Sequence, residues 1–196
     1  MRNDKNKPRL DNLPKTRKVL GLTKNLPYFN IDDLKGVFKE YYLKIILSRL
    51  EDRGKVIRLK KGFYVSEEYI NIIERKNFKD SYLEFITGVI YSPSYLSLEY
   101  VLAKYNALTE SPVNFTCVSK NKTTRFDNKF GNFIYHNIKP ALFIGFNVIK
   151  TNNLIIYEAT KAKALFDYIY LRKNQIVDKR SIDELRINVD VFNKKD

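Results

Sequence analysis

Few residues in this sequence have the types and spacing that catalysis requires. His136 is the only histidine and Cys117 the only cysteine, so neither a zinc site nor a cysteine–histidine nucleophile is expected. The glycines form no phosphate-binding loop. One pattern is of interest, Glu158-Ala-Thr-Lys161, because a carboxylate and a lysine close together near a strand can serve a Mg²⁺-dependent nuclease. We interpret Glu158 instead as part of the first turn of a helix, and we predict no catalytic residue, no metal and no cofactor.

Four tyrosines offer a second possible chemistry, the stacking of single-stranded nucleic acid. They are Tyr91, Tyr95, Tyr100 and Tyr105. Because they are spread through a predicted helix and its approach, a core or interface role is favoured over a stacking platform.

The basic residues give a stronger indication. The chain has a net charge of +14, and the segment through Val65 holds 17 Lys and Arg against 7 Asp and Glu, a net charge of +10. An AT-rich genome also enriches lysine, but that bias acts evenly along a chain. The asymmetry therefore favours a basic module that binds nucleic acid or an acidic membrane surface.

The elements predicted around these charges have the order of a winged helix-turn-helix. Three helices and two short strands are predicted, at residues 14–22, 31–36, 39–53, 55–59 and 63–65. Asn30 is suited to cap the second helix, while Gly54 and Gly62 can adopt the positive φ needed at a helix end and a tight turn.

In such a domain the third helix enters the major groove and the wing contacts the backbone or minor groove. An apolar stripe of Leu43, Ile46, Leu47 and Leu50 turns one face of this helix to the core. The predicted DNA-binding residues are therefore the others, Lys39, Tyr41, Lys44, Ser48 and Arg49 on the helix and Lys55, Arg58, Lys60 and Lys61 on the wing. The alternative is that these are ordinary solvated charges.

The rest of the chain predicts a second domain. After the DNA-binding domain (residues 1–66, with a frayed arm over 1–12) we predict a linker helix (67–80) and a C-terminal domain (81–196) whose central sheet is flanked by helices, giving an α+β protein. Its strands are predicted at 113–118, 124–127, 133–138, 143–149 and 154–157. Residues 93–97 introduce a helix with Ser97 as its cap, and a helix over 160–172 buries Ala164, Leu165, Tyr168 and Leu171.

Lys120, Lys122 and Arg125 form a basic cluster that is either a polar loop or an accessory contact. The absence of a long apolar run and the single cysteine predict a cytoplasmic protein with no membrane partner.

Several segments resemble the AbiEi-like antitoxin family. Arg58-Leu-Lys-Lys-Gly-Phe-Tyr-Val65 is similar to the wing that ends the family's N-terminal domain. Three further matches follow in order, at Pro93-Ser-Tyr-Leu-Ser-Leu-Glu-Tyr-Val-Leu102, at Thr124-Arg-Phe126 with Gly131-Asn-Phe-Ile-Tyr135, and at Ala159-Thr-Lys-Ala-Lys-Ala-Leu-Phe-Asp167. Thr160 stands where the family usually has proline.

The resemblance implies an antitoxin of a type IV toxin–antitoxin, abortive-infection system. Such proteins repress their own operon by binding inverted repeats in double-stranded DNA, and they counter a nucleotidyltransferase toxin, often without a stable complex. Two alternatives stay open: a stand-alone regulator whose second domain senses a ligand, and a metal-dependent nuclease.

Overall fold

The computed structural model describes residues 14–110 and 112–192. It divides into two compact units, with the boundary between Lys79 and Asp80. The arm predicted over residues 1–12 lies outside the described residues. The units contain a three-stranded and a six-stranded sheet together with helices, so the predicted α+β class is confirmed. None of the helices in the described part of the chain is long and apolar enough to cross a membrane.

The first unit contains helical segments and a small antiparallel sheet of strand order β1-β3-β2. Its elements are helix α1 (Lys15–Thr23), strand β1 (Phe29–Asn30), a 3-10 turn (Asp32–Leu34), helix α2 (Glu40–Asp52), strands β2 (Val56–Lys60) and β3 (Phe63–Ser66), and helix α3 (Glu67–Arg75). Asn30 and Asp33 cap each other's backbone amides, at 2.8 and 3.0 Å. The predicted helix over 31–36 is shorter than expected, because Gly36 is a poor helix former and Phe38 already packs against the core.

Helix α2 contributes the largest share of the first unit's core. Leu43, Ile46, Leu47 and Leu50 are all buried, as their spacing predicts. They pack with Val19, Phe29, Leu34, Val56 and Tyr64, which come from the other elements of the unit. Each such side chain contributes about 1.5–3 kcal/mol when it leaves water, so the orientation of α2 about its own axis is fixed.

Two glycines have the backbone conformations predicted for them. Gly54, with a φ of +66°, follows α2, and the amide of Lys55 then donates to the carbonyl of Leu50 at 2.8 Å, the long-range hydrogen bond of a Schellman end. Gly62, with a φ of +82°, lies in the turn between β2 and β3. The chain therefore passes directly from α2 into the hairpin.

The second unit is built on a six-stranded sheet of order β6-β7-β5-β4-β9-β8. Its elements are helix α4 (Lys79–Ile90), strand β4 (Ser94–Leu96), helix α5 (Leu98–Lys104), strands β5 (Asn114–Ser119), β6 (Thr124–Asn128), β7 (Gly131–Asn137), β8 (Phe146–Thr151) and β9 (Leu154–Ala159), and helices α6 (Lys161–Leu171) and α7 (Lys179–Asp183). Strand β8 begins three residues later than predicted, because the chain first makes a 3-10 turn at Pro140–Leu142.

Helices lie on both faces of this sheet. The hydroxyl of Tyr135 donates to the carbonyl of Thr87 in α4 at 2.7 Å, and the hydroxyl of Tyr95 donates to Asp167 in α6 at 2.9 Å. The strand register pairs Leu96 with Cys117 and Cys117 with Tyr135. Since successive residues point to opposite faces, Tyr95 and Tyr135 point to opposite faces of the sheet. We call these the α6 face and the α4 face.

Three local predictions in this unit are wrong. Residues Ser94–Leu96 form a central strand between β5 and β9, although the sequence predicts a helix approach there. Ser97 precedes α5 but makes no side-chain cap, because its hydroxyl donates to Asp167. In α6 the buried residues include Lys163 and Asp167, while Leu165 and Leu171, predicted to be buried, are only half-buried.

Candidate functional site

The outward face of α2 carries the side chains predicted to contact DNA. Tyr41, Lys44, Ser48 and Arg49 are all exposed, with Tyr41 at 71% of its full surface. They lie opposite the buried Leu43–Leu50 stripe, so packing of that stripe holds them toward solvent. Lys39, the residue before the helix, is also exposed. The structure thus presents aromatic, hydroxyl and cationic groups along one helix.

An acidic residue shares the first turn of this helix. The Glu40 carboxylate lies 2.9 Å from the Lys44 ammonium and 3.5 Å from that of Lys35. The hydrogen bond from Lys44, together with the charge of Lys35, holds the pKa of Glu40 below its usual value. All three side chains are well exposed, so the ion pairs are weak.

The four cations predicted to contact DNA from the β2–β3 hairpin differ in how exposed and how engaged they are. Arg58 and Lys61 are exposed. Lys60 is half-buried, lies 4.0 Å from the Phe63 ring, and has its pKa lowered by burial. Lys55 bonds to Glu67 at the start of α3 at 2.7 Å, which raises its pKa. Arg58 and Lys61 are thus exposed, whereas Lys60 is half-buried and Lys55 is held in an ion pair.

The accessory cluster belongs to the second unit and is only partly assembled. Lys120 and Lys122 are exposed in the loop before β6 and line a shallow pocket with Tyr91 and Asn137. Arg125 is engaged on β6, where it bonds to Asp127 at 2.9 Å and to Asn132 at 3.2 Å. Two of the three predicted cations thus lie together.

The tyrosines considered for stacking serve the interior of the second unit. Tyr95 is fully buried and stacks on Phe146 with centroids 4.7 Å apart. Tyr91 packs against Phe126 and Tyr135. Tyr100 and Tyr105 donate to buried carboxylates. The core interpretation fits these positions, and a platform built from all four is excluded by the burial of Tyr95.

Glu158 is placed differently from its prediction. It is the fifth residue of strand β9 and buried, whereas the sequence interpretation put it in a helix turn. The Lys104 ammonium lies 2.5 Å from Glu158 and 2.7 Å from Glu84. Burial alone would lower the pKa of Lys104, but the hydrogen bonds to these two carboxylates together raise it. Lys104 therefore bridges α4, α5 and β9, and the sequence contains no local signal for this three-element contact.

We expect replacement of Glu158 with glutamine to lower the free energy of unfolding by about 1–2 kcal/mol, because Lys104 loses one of two charged partners but keeps Glu84 and partial solvation. Urea denaturation against the exposed control Glu110→Gln measures this.

Glu158→Gln also tests the nuclease alternative. Mg²⁺-dependent DNA cleavage that the wild-type chain performs and Glu158→Gln lacks would establish that alternative.

A second buried cluster, which sequence reasoning missed, joins α6 to the sheet. Asp167 is fully buried; its Oδ2 accepts from the hydroxyls of Tyr95 and Ser97, each at 2.9 Å. Its Oδ1 lies 2.7 Å from the buried ammonium of Lys163, which also donates to the Leu142 carbonyl at 2.8 Å. Burial raises the pKa of Asp167 although these partners favour its charged form. The only available signal was the Lys163–Asp167 spacing of four residues in a helix.

Thr160 caps this helix. Its hydroxyl accepts from the Lys163 amide at 3.2 Å, which satisfies one of the backbone donors at the helix start.

The α6 face also borders a cavity of about 670 Å³. Its polar lining includes Glu99, His136 and Arg172, and Leu108, Val113 and Ile134 contribute apolar surface. Arg172 is ion-paired with Glu99 and lies 3.7 Å from the Tyr168 ring. The volume is in the range of small-molecule sites, and the cavity is the feature a ligand-sensing domain requires.

His136 gives this cavity a measurable pH response. Burial lowers the pKa of His136 from its usual 6.5, although the charge of Glu99 opposes the shift. The folded chain then binds fewer protons than the unfolded chain below pH 6.5, so the contribution of neutral His136 to stability is lost as the pH falls from 6.5 through the folded-state pKa. As the only histidine, it gives one set of imidazole NMR signals. We expect the midpoint of their titration with pH to lie below 6.5. A midpoint at or above 6.5 would contradict this, and His136→Gln should reduce the stability change between pH 8 and about 5.5.

Comparison with known proteins does not identify the chain: no protein-family model matches it, and no curated protein matches it. Within residues 14–110 and 112–192, no group of three or more ligating side chains is placed to hold a metal ion. The geometry above and the sequence resemblance therefore carry the proposed function.

Proposed function

We propose that this protein is a DNA-binding transcriptional autorepressor and the antitoxin of a type IV toxin–antitoxin, abortive-infection system. The observation that carries the DNA-binding half is the solvent-facing side of α2, with Tyr41, Lys44, Ser48 and Arg49 exposed above a fixed core. Adjacent to it in the chain is a hairpin that exposes Arg58 and Lys61.

The first unit is proposed to act as a winged helix-turn-helix. Its element order, helix, short helical turn, longer helix and hairpin, matches that arrangement. In this proposal α2 lies in the major groove, where Ser48 and Tyr41 reach base edges and Arg49 reads a base or a phosphate. The hairpin cations neutralise phosphates and release counterions, which supplies affinity without sequence preference.

The antitoxin half is supported by the family resemblance of residues 93–102, 124–135 and 159–167. In this proposal the C-terminal domain (81–196) counters a nucleotidyltransferase toxin and has no catalytic function of its own, and residues 67–80 link it to the DNA-binding domain (1–66). The protein acts in the cytoplasm, and two copies bind the inverted repeats upstream of its operon, since repeats present two equivalent half-sites.

Two cellular assays separate these halves. A reporter driven by the upstream region should be repressed by the wild-type chain and released by Ser48→Ala/Arg49→Ala, with Lys173→Ala as the exposed control. In cells that express the proposed nucleotidyltransferase toxin, co-expression of either variant should restore growth. Repression without rescue would remove the antitoxin half and leave the regulator.

A ligand-sensing second unit is the competing function that a specific observation favours, namely the 670 Å³ cavity lined by Glu99, His136 and Arg172. If it controls DNA binding, Ile134→Trp should obstruct the cavity and lock repression in one state. The sensing function would be ruled out if no small-molecule extract changed repression and if the variant repressed the reporter as strongly as the wild-type chain.

A further inference from the structure

The β8–β9 hairpin leaves apolar side chains in solvent on the α6 face of the sheet. The register pairs Phe146 with Ala159, Val148 with Tyr157 and Lys150 with Ile155, and paired residues share a face. Val148, Ile155 and Tyr157 are exposed by 54, 44 and 40% of their full surfaces. We call Phe146, Val148, Lys150, Ile155 and Tyr157 the hairpin patch. A solvated sheet face is normally polar, so this patch needs an occupant.

The register ties the hairpin patch to the α6 face. Phe146 stacks on the buried ring of Tyr95 and contacts that of Tyr157 at 6.2 Å, and Tyr95 is bonded to Asp167 of α6. The patch is thus the outer, uncovered part of a surface that α6 covers over Tyr95. The hairpin itself is well defined, because Asn152 and Asn153 both have positive φ, as a tight two-residue turn requires.

Strand β8 also lies at the end of the described sheet. Within residues 14–110 and 112–192 it is the last strand in the order β6-β7-β5-β4-β9-β8 and pairs with β9 alone. An edge strand presents a row of backbone donors and acceptors that another strand can pair with. The sequence of β8, Phe-Asn-Val-Ile-Lys-Thr, contains no proline and a single charge, that of Lys150, so little in it opposes strand addition.

The segment that contains this surface exposes charge of one sign. Residues 139–173 contain six Lys and Arg and two acids, and both acids, Glu158 and Asp167, are buried against lysines. The exposed charges of this segment are therefore positive, including Lys139, Lys150 and Lys173. A partner complementary to the surface is apolar and acidic.

We propose that the β8 edge binds an extended acidic segment of a partner protein, which adds a seventh strand to the sheet. Alternation along a strand then fixes the recognised pattern. Two apolar side chains two residues apart pack beside Phe146 and Val148, and a carboxylate two residues further along lies beside Lys150. In the parallel orientation the pattern is apolar-x-apolar-x-Asp/Glu, and in the antiparallel orientation it is the reverse. This interaction does not depend on DNA binding by the first unit.

Other occupants fit less well. Nucleic acid and anionic lipid headgroups satisfy the lysines but leave the edge amides and the pattern of Val148, Ile155 and Tyr157 without a role. A second copy paired through β8 brings lysine-rich surfaces together, and like charges across an interface are unfavourable.

The proposal is tested by selecting a phage-displayed library of random peptides on the full chain. Two altered chains serve as counter-targets: Val148→Ser/Ile155→Ser, which removes apolar surface, and Lys150→Glu, which reverses the charge. Val177→Ser is the matched control, because Val177 is 82% exposed outside the patch. Circular dichroism checks that all chains fold alike, and a second pair, Val148→Thr/Ile155→Thr, retains strand propensity should the serine pair unfold.

We expect enrichment of peptides with the apolar-x-apolar-x-acid spacing in one direction. A synthetic peptide of the enriched sequence should bind the wild-type chain and Val177→Ser equally, and it should bind the patch variant at least tenfold more weakly. Lys150→Glu should select lysine or arginine in place of the acid, and peptide binding should slow amide exchange in β8. Failure to enrich this spacing, equal binding to the patch variant, a dimer that the patch variant abolishes, or flotation with phosphatidylglycerol vesicles that it abolishes would each overturn the proposal.

Discussion

Replacing Asp167 with alanine is expected to lower the free energy of unfolding of the second unit by about 3–5 kcal/mol, because the buried Lys163 ammonium loses its counter-charge. The substitution also leaves the hydroxyls of Tyr95 and Ser97 without the acceptor they share. These groups join a helix to the centre of a sheet, so the substitution affects packing between layers as well as one ion pair.

Urea denaturation followed by circular dichroism measures this effect, with hydrogen exchange assigning the transition to residues 80–192. Asp183→Ala, at an exposed aspartate in α7, should change stability by no more than about 0.5 kcal/mol. In a double-mutant cycle, Lys163→Met should cost less in the presence of Asp167→Asn than in its absence, because no unpaired charge is then buried. A decrease below about 1 kcal/mol for Asp167→Ala, or strict additivity in the cycle, would show that the cluster is not the link described here.

Replacing Lys60 and Lys61 with alanine is expected to weaken DNA binding by about 5- to 30-fold at physiological salt, since each released counterion contributes a factor of about five there. The decrease should be similar for operator and unrelated DNA, because phosphate contacts carry no base preference. The slope of log affinity against log salt should become shallower by about 0.9 for each phosphate that the variant no longer neutralises. Of the two residues, Lys61 should account for more of the change, as Lys60 is half-buried over Phe63.

Fluorescence anisotropy with labelled duplexes at several salt concentrations measures both quantities. Lys129→Ala/Lys173→Ala removes the same charge from exposed positions in the second unit and should leave the slope nearly unchanged. Equal affinity and slope for the hairpin variant and the wild-type chain would remove Lys60 and Lys61 from the interface.

The first unit could be predicted closely because its signals are local. The Leu43, Ile46, Leu47 and Leu50 spacing identifies a helix and its buried face, and Gly54 marks the helix end within the same short segment. Side-chain exposure on α2 then follows, because fixing one face of a helix fixes the other. Pairing within that surface, such as Lys44 with Glu40, could have been read from the four-residue spacing.

The polar interior of the second unit depends on contacts between distant residues. Ser97 and Asp167 are 70 positions apart in the chain, and the Lys104 contacts to Glu84 and Glu158 span 20 and 54 positions. Strand β4 is three residues long, too short to show alternation, and it is identified only by its neighbours β5 and β9. A buried charge leaves no pattern in the local sequence, because the residue that pairs with it can lie far away along the chain.

The binding of the full chain to the DNA upstream of its own gene is the most direct test of the proposed function. A gel shift at two salt concentrations, with and without excess unrelated duplex, is sufficient. We predict a complex that survives the unrelated competitor and weakens steeply as salt rises, because base contacts from α2 add to phosphate contacts from the hairpin. A complex that unrelated DNA removes as readily as operator DNA would contradict the regulator function and leave the first unit as a non-specific docking surface.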